Sequence, residues 1–488
     1  MTSTEPERLR GSGPVDSFDP WKVFGVSSLG VFLVVSALSS LNVALPNMQV
    51  ELGATSKQLQ WVIDSYAVVF GGLLLTGGAI SDRLGRRRTL LIGFFVVAVA
   101  GLIGGGASSV GIVIVGRALG GVGAALMLPA TLSVLTEVFE GPGQARAIAM
   151  WSGLAGAGGA VGPALGGWLI SWSSWSSVFF GNSVLAVVGL LGTFLFVPVL
   201  PVAERRNLDA VGSVLSVLAI GGILLAVIEA PGGWQRWEVV VGLLVGVGAL
   251  ASFIAHCRRA DQPLLPLEVF DQPRVTVGAV TLVLSAVGFA GVLFVGSLFL
   301  QFGWGESALA TGLLLLPIGL VEFGVSVKCV ALADRIGTGR SIGIGLVLMA
   351  IGYTAMALID VGDRSGFVLA GIVAGVGNGL VIPLSVERVV GGGDGELAGI
   401  RAGVNETSIE LGASLGIAVL GGVQRVVFAG ALPASVPSDS FTEAVAAAGP
   451  GIDVVAAFVR SGRASLLVAA ALVLLVAPWA VRQLGDEP

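Results

Sequence analysis

Polar residues are confined to short intervals along this chain, and apolar residues fill long runs between them. Fourteen runs are long enough to cross a bilayer, at roughly 23–45, 59–80, 89–108, 111–135, 147–170, 177–199, 210–228, 239–256, 275–302, 308–332, 341–359, 366–389, 402–424 and 464–481. A hydrocarbon core of about 30 Å takes about 20 helical residues at 1.5 Å each. Backbone groups in lipid must pair within their own segment, so each run is expected to be a helix. The pattern therefore predicts an all-α polytopic membrane protein of fourteen spans.

Charge sets the expected orientation. With the N-terminus on the cytoplasmic side, 18 of the 26 Lys and Arg fall in cytoplasmic segments and 6 fall outside, with Arg117 and Lys328 inside spans. Positive charge favours the cytoplasmic side, so both termini are expected there. Residues 1–22 lack the apolar core of a signal peptide and read as a cytoplasmic tail.

Composition narrows the class further. Hydrophobic residues make up 55% and charged ones 12%, with a mean hydropathy of +0.94, which excludes a soluble domain. A net charge of −5 offers no basic patch for nucleic acid. Two cysteines and a single histidine argue against a disulfide framework or a metal centre. No phosphate-binding loop carries Lys-Ser or Lys-Thr, so ATP drive is not encoded, and no enzyme motif stands out. No cofactor is expected; an ion gradient must supply the energy.

The densest charge lies in Gly77–Arg88, GGAISDRLGRRR, where Gly78, Asp82, Arg83, Gly85, Arg86 and Arg87 crowd one tight turn between two apolar runs. A weaker copy, ADRIGTGR, occupies Ala333–Arg340 and repeats the acid and first base as Asp334 and Arg335. The two aspartates lie 252 residues apart, a separation that carries eight helices. Two six-helix halves separate equivalent loops by six, so an extra helix pair sits between them. The expected division is a tail at 1–22, a six-helix bundle at 23–204, an inserted pair at 205–262, and a second bundle at 263–488 with an outer loop at 425–463. Repeated halves with a substrate path between them are the usual construction of secondary transporters.

The first turn resembles the signature of the major facilitator superfamily, between its helices 2 and 3. Other stretches extend the resemblance: LNVALP (Leu41–Pro46), WVIDSY (Trp61–Tyr66), and the run Arg117–Ala125. In the fifth span, Gly158, Gly162, Pro163, Gly166 and Gly167 are similar to that family's antiport motif. Physically, the glycines clear a helix face for close packing and the proline bends the helix. Fourteen helices in this order resemble the drug:proton antiporter branch, the EmrB/QacA-like proteins. The resemblance implies a multidrug efflux protein of the plasma membrane, working as a monomer on small molecules and protons. It also implies a latch between the halves formed by Asp82 and its neighbours.

Ionisable groups inside spans are costly unless they are paired or used. Arg117 in span four and Asp64 in span two lie at similar depths, about 9 Å for Arg117 at 1.5 Å per residue, and are expected to pair. Glu322 lies in span ten. Glu406 and Glu410 lie four apart in span thirteen, hence on one helix face, where like charges oppose simultaneous ionisation. Proton coupling is expected at Glu410 and Glu406, with Asp64 and Arg117, and substrate contact at Glu322, Glu406, Glu410 and Asn42. Related antiporters carry an aspartate in the first span where this chain has Ala37, which moves the expected proton carrier to Glu410. The expected activity is proton-coupled export of hydrophobic small molecules, cations among them. Two alternatives share these features: a proton-coupled metabolite importer of the same fold, and a transport-inactive sensor or scaffold.

Overall fold

A computed structural model describes residues 18–41, 44–54, 56–200, 209–230, 233, 235–391, 397–433, 435–436, 441–449 and 452–484. Every long regular element in it is a helix. In chain order these are α1 (Pro20–Ser40), α2 (Leu45–Leu52), α3 (Ser56–Leu84), α4 (Arg86–Gly105), α5 (Val110–Val138), α6 (Pro142–Trp172), α7 (Ser176–Phe196), α8 (Ala210–Glu229) and α9 (Trp237–Cys257). There follow α10 (Pro273–Leu298), α11 (Ala308–Ser326), α12 (Cys329–Ile336), α13 (Thr338–Leu358), α14 (Arg364–Val390), α15 (Ala398–Gly430), α16 (Phe441–Ala447) and α17 (Val454–Leu484). Among the described residues, twelve helices are long and apolar enough to cross a membrane, and the bent pair α11–α12 makes a thirteenth. The remaining expected span, 147–170, coincides with the 31-residue helix α6.

Several boundaries differ from the apolar runs, each for a local reason. The first span ends at Ser40, and the chain restarts as the short helix α2 with a proline in its first turn. Proline lacks the amide that would continue the earlier ladder. The last span begins ten residues earlier than its apolar run, at Val454, so Arg460 and Arg463 lie on α17 instead of in the outer loop. Arg463 is accommodated there by donating 2.8 Å to the Ile359 carbonyl. Within the outer loop expected at 425–463, residues from Val454 onward join α17 and Phe441–Ala447 form the short helix α16. Phe302, Phe428, Phe441 and Phe458 pack together under it.

Span ten is not straight. Its two pieces meet at 52° around Val327 and Lys328. There Lys328 N–H bonds the Val325 carbonyl in a tight turn, and Ser326 Oγ donates to the carbonyls of Glu322 (2.9 Å) and Gly379 (3.3 Å). A hydroxyl that competes for backbone carbonyls is a recognised cause of helix bending.

The helices of the first part pack among themselves: α3 and α4 against α5, α4 against α7, α1 against α6. Those of the last part do likewise: α10 against α15, α13 against α14 and α17, α11 against α14. Contact between the two sets runs mainly through α3 with α15 and α6 with α11. The helices α8 and α9 pair with each other, and α8 also lies on α3 and α15. Glycines make these crossings tight: a Cβ at Gly71 of α3 would come within 2.4 Å of the Leu224 side chain of α8.

Candidate functional site

The charged turn after α3 closes a junction between the two helix sets. Asp82, buried in the last turn of α3, accepts hydrogen bonds from the backbone N–H of Gly399 (2.8 Å) and Ile400 (3.0 Å) in the first turn of α15. The first amides of a helix have no partner within it and attract negative charge, so a carboxylate suits this position. Gly78 explains how the helices come so near: a Cβ there would lie 2.2 Å from the Gly399 oxygen. Gly85 holds φ +87, a conformation other residues rarely adopt, and reverses the chain into α4.

The arginines of the turn have separate tasks. Arg86 is 1% exposed; its guanidinium bonds Glu137 and Ser133 Oγ (3.1 Å) of α5 and approaches Asp82 at 3.4 Å. Arg87 donates 2.6 Å to the Phe194 carbonyl and lies 5.7 Å from that residue's ring. Arg83 is exposed. In the repeated turn Gly337 has φ +92, matching Gly85, while Asp334 and Arg335 are exposed. Sequence reasoning missed Glu137, Ser133 and the α15 amides. An acid at the end of an apolar run was the available signal for Glu137; the amides left none.

A cavity of about 190 Å³ lies between the two helix sets. Its walls include Val34, Val35 and Leu38 of α1, Phe70 of α3, Trp151 of α6 and Phe289 of α10. Three carboxyls line it together, Glu322 of α11 with Glu406 and Glu410 of α15, alongside Asn378 of α14. No Lys, Arg or His is among the described residues that line it.

Each carboxyl has its own setting. Glu322 Oε1 accepts from Asn378 Nδ2 at 2.8 Å, whereas Oε2 is buried with no hydrogen-bond partner. Gly156 of α6 makes room for this carboxylate, since a Cβ there would stand 2.8 Å from Oε1. Glu406 Oε1 accepts from Asn405 Nδ2 at 2.9 Å. The Glu410 side chain reaches toward α3, its Cγ 3.3 Å from where a Cβ on Gly71 would be. Uncompensated polar atoms in a buried site cost free energy, on the order of 1–3 kcal/mol for a missing partner. Oε2 of Glu322 is thus ready for a donor: a proton, a water or a cationic group.

Arg117 is buried on α5 and serves the backbone. It donates to the carbonyls of Val62 (3.0 Å) and Ala37 (3.5 Å), and its guanidinium lies 4.2 Å over the Tyr66 ring. Tyr66 was not singled out from the sequence, although an aromatic face is a known seat for a guanidinium. Asp64 is half-buried on α3. Asn42 lies outside the described residues, as does the side chain of Pro163. The glycines of the α6 motif fit against α1: a Cβ at Gly162 would meet Ser39 and Ser36, one at Gly166 the Ser40 backbone, and one at Gly158 Val35. Gly167 is half-buried nearby. Among the described residues, no group of three His, Cys, Asp or Glu is placed to hold a metal ion.

Comparison with known proteins agrees with this architecture. A sequence profile of the Major Facilitator Superfamily matches residues 27–417. The tetracenomycin C resistance and export protein of Streptomyces glaucescens is 32% identical over 407 residues, 82% of this chain and 75% of that protein. The cephamycin export protein CmcT of Amycolatopsis lactamdurans is 35% identical over 402 residues, 80% of this chain and 82% of that one. The multidrug efflux pump LfrA of Mycolicibacterium smegmatis is 32% identical over 412 residues, 82% and 80% respectively. In backbone, the human organic anion transporter MFSD10 superposes with a TM-score of 0.65 at 17% identity, covering 95% of this chain and all of that one. The proton:xylose symporter XylE gives 0.64 at 14%, covering 94% of each. With four-fifths of its length matched by the family profile and by relatives above 30% identity, this chain belongs to the major facilitator superfamily.

Proposed function

We propose that the protein is a drug:proton antiporter that exports hydrophobic, cationic small molecules across the plasma membrane. The observation that carries this reading is the cavity itself: among its described lining residues are three carboxyls and no basic group, set in aliphatic and aromatic walls. Apolar walls suit a lipophilic body, and the carboxylates suit a positive charge. The relatives named for exporting tetracenomycin C, cephamycin and multiple drugs support the direction of transport.

Coupling follows from one site serving two ligands. A carboxyl that takes up a proton loses its charge and its attraction for a cation, so proton entry and substrate release oppose each other there. Glu410 is assigned the proton because it reaches from α15 toward α3 across the two helix sets. Glu406 and Glu322 draw the cation, and Arg117 with Asp64 supports the wall beside α1. The turn around Asp82 latches the sets on one side of the membrane. In this reading α6 also crosses, which makes fourteen spans in two six-helix bundles, 23–204 and 263–488, with 205–262 inserted and both termini cytoplasmic. The protein works as a monomer without a cofactor.

The test is efflux of ethidium, a lipophilic cationic dye, from proteoliposomes under an imposed pH gradient. Glu410→Gln should abolish gradient-driven efflux, while Glu406→Gln changes the order of preference among dyes. Parental efflux by Glu410→Gln would remove it as the proton carrier.

A further inference from the structure

The break in span ten creates a second, separate depression. A groove of about 650 Å³ opens between α11–α12 and the pair α13–α14. Leu320, Val325, Leu332, Leu348 and Leu380 are among its lining residues, and Lys328 is the one charged residue among those described there. The groove faces outward: Leu320 is 54% exposed and Ile344 44%. Apolar side chains exposed on the flank of a membrane-spanning bundle face lipid.

Depth fits a headgroup. Lys328 follows the start of α11 by 20 residues, a rise of about 30 Å, close to the full hydrocarbon thickness. The bend thus sets Lys328 at the end of the membrane-crossing part of span ten, and not within it as the apolar run suggests. Its exposed side chain lies at the leaflet boundary on the side of the Asp82 turn, with the apolar groove running from it into the hydrocarbon. A lone ammonium at the mouth of an apolar furrow is complementary to a molecule with one negative head and a long apolar chain.

We propose that this groove binds one anionic phospholipid, its phosphate on the Lys328 ammonium and an acyl chain along Val325, Leu348 and Leu380. A diacyl lipid with a phosphate head satisfies both features at once, which a free anion does not. The same bent span carries Glu322 into the central cavity, so the lipid would sit on the element that positions that carboxyl.

Native mass spectrometry of the full-length protein in detergent tests the site, with phosphatidylglycerol and phosphatidylcholine offered separately. Retained phosphatidylglycerol should exceed phosphatidylcholine, and Lys328→Gln should lower it by about fivefold, the scale of one lysine's attraction for an anionic lipid surface. Lys328→Arg should retain it. Leu348→Trp, which fills the groove and leaves the charge, should also lower it. Arg340→Gln, an exposed cation outside the groove, should leave it unchanged. Equal retention of the two lipids, no loss in Lys328→Gln, or an equal loss in Arg340→Gln would each overturn the proposal. If Leu348→Trp fails to fold, the contrast between Lys328→Gln and Lys328→Arg still decides.

Discussion

At the scale of residues, Arg86 and Asp82 carry different burdens although they touch. Asp82 joins two helix sets through the amides of Gly399 and Ile400, whereas Arg86 is enclosed beside Glu137 and Ser133 within one set. Asp82→Asn keeps one acceptor and turns a donor toward an N–H, so the junction weakens while the fold survives. Hydrogen bonds to a charged group are worth about 1.5–3 kcal/mol, so transport should fall about tenfold or more with normal expression. Unchanged efflux would reduce the turn to a membrane anchor. Arg86→Ala should instead lower stability, by about 3 kcal/mol, because it strands the buried Asp82 carboxyl and the half-buried one of Glu137. Thermal unfolding in detergent reads that loss, and adding Glu137→Gln should recover part of it. Arg87 is half-buried and engages Phe194 at the end of α7, so Arg87→Ala should be milder in both assays.

Among the elements, the inserted pair is tied down at one carboxyl. Asp209 caps α8 through Gly212 N–H (2.8 Å), accepts from Leu264 N–H (3.0 Å) and meets His256 Nε2 of α9 at 2.9 Å. Burial opposes its charge, but the bonds from Gly212, Leu264 and His256 outweigh it and hold the carboxyl below its ordinary value of 3.8. A group whose folded value is depressed adds stability above its unfolded value and loses it as pH falls through the folded one. The melting temperature of the parent should therefore exceed that of Asp209→Asn at neutral pH, with the gap closing in acid below the ordinary carboxylate range. A gap that stays constant into acid would show that Asp209 acts by shape and not by charge. The pair matters beyond its own packing, because Leu224 of α8 presses on α3 at Gly71, beside Glu410.

For the whole molecule, the decisive contacts are those between helix sets, α3 with α15 and α6 with α11. Alternating access requires one such crossing to open while the other closes. A Cβ at Gly78 would overlap the Gly399 oxygen, backbone that cannot turn aside, so Gly78→Val should hold that crossing open. In a background with Cys257 and Cys329 changed to serine, a reporter Ser152→Cys in the cavity wall should then label faster from the side of the membrane that carries the Asp82 turn. Labelling at the parental rate would mean that the crossing does not gate the cavity.

The sequence by itself determined the class and the family, and it singled out the intramembrane acids. Apolar runs spell out membrane helices because lipid offers no partner to a free amide. A compact charged turn with fixed glycines is rare enough to name a superfamily, and intramembrane acids stand out because they are expensive. Glu322, Glu406 and Glu410 were legible for that reason, and the structure brings them to one cavity. What only the tertiary structure decided was partnership. The amides that meet Asp82 lie more than 300 residues away and carry no side-chain signature, since every residue but proline has an N–H. Arg117 turned to carbonyls and an aromatic ring, choices that packing makes and spacing does not. The bend at Lys328 rests on a serine hydroxyl reaching the carbonyl of Gly379 on another helix. An apolar run records only how far a helix must reach through lipid, and not the angle at which its neighbours hold it.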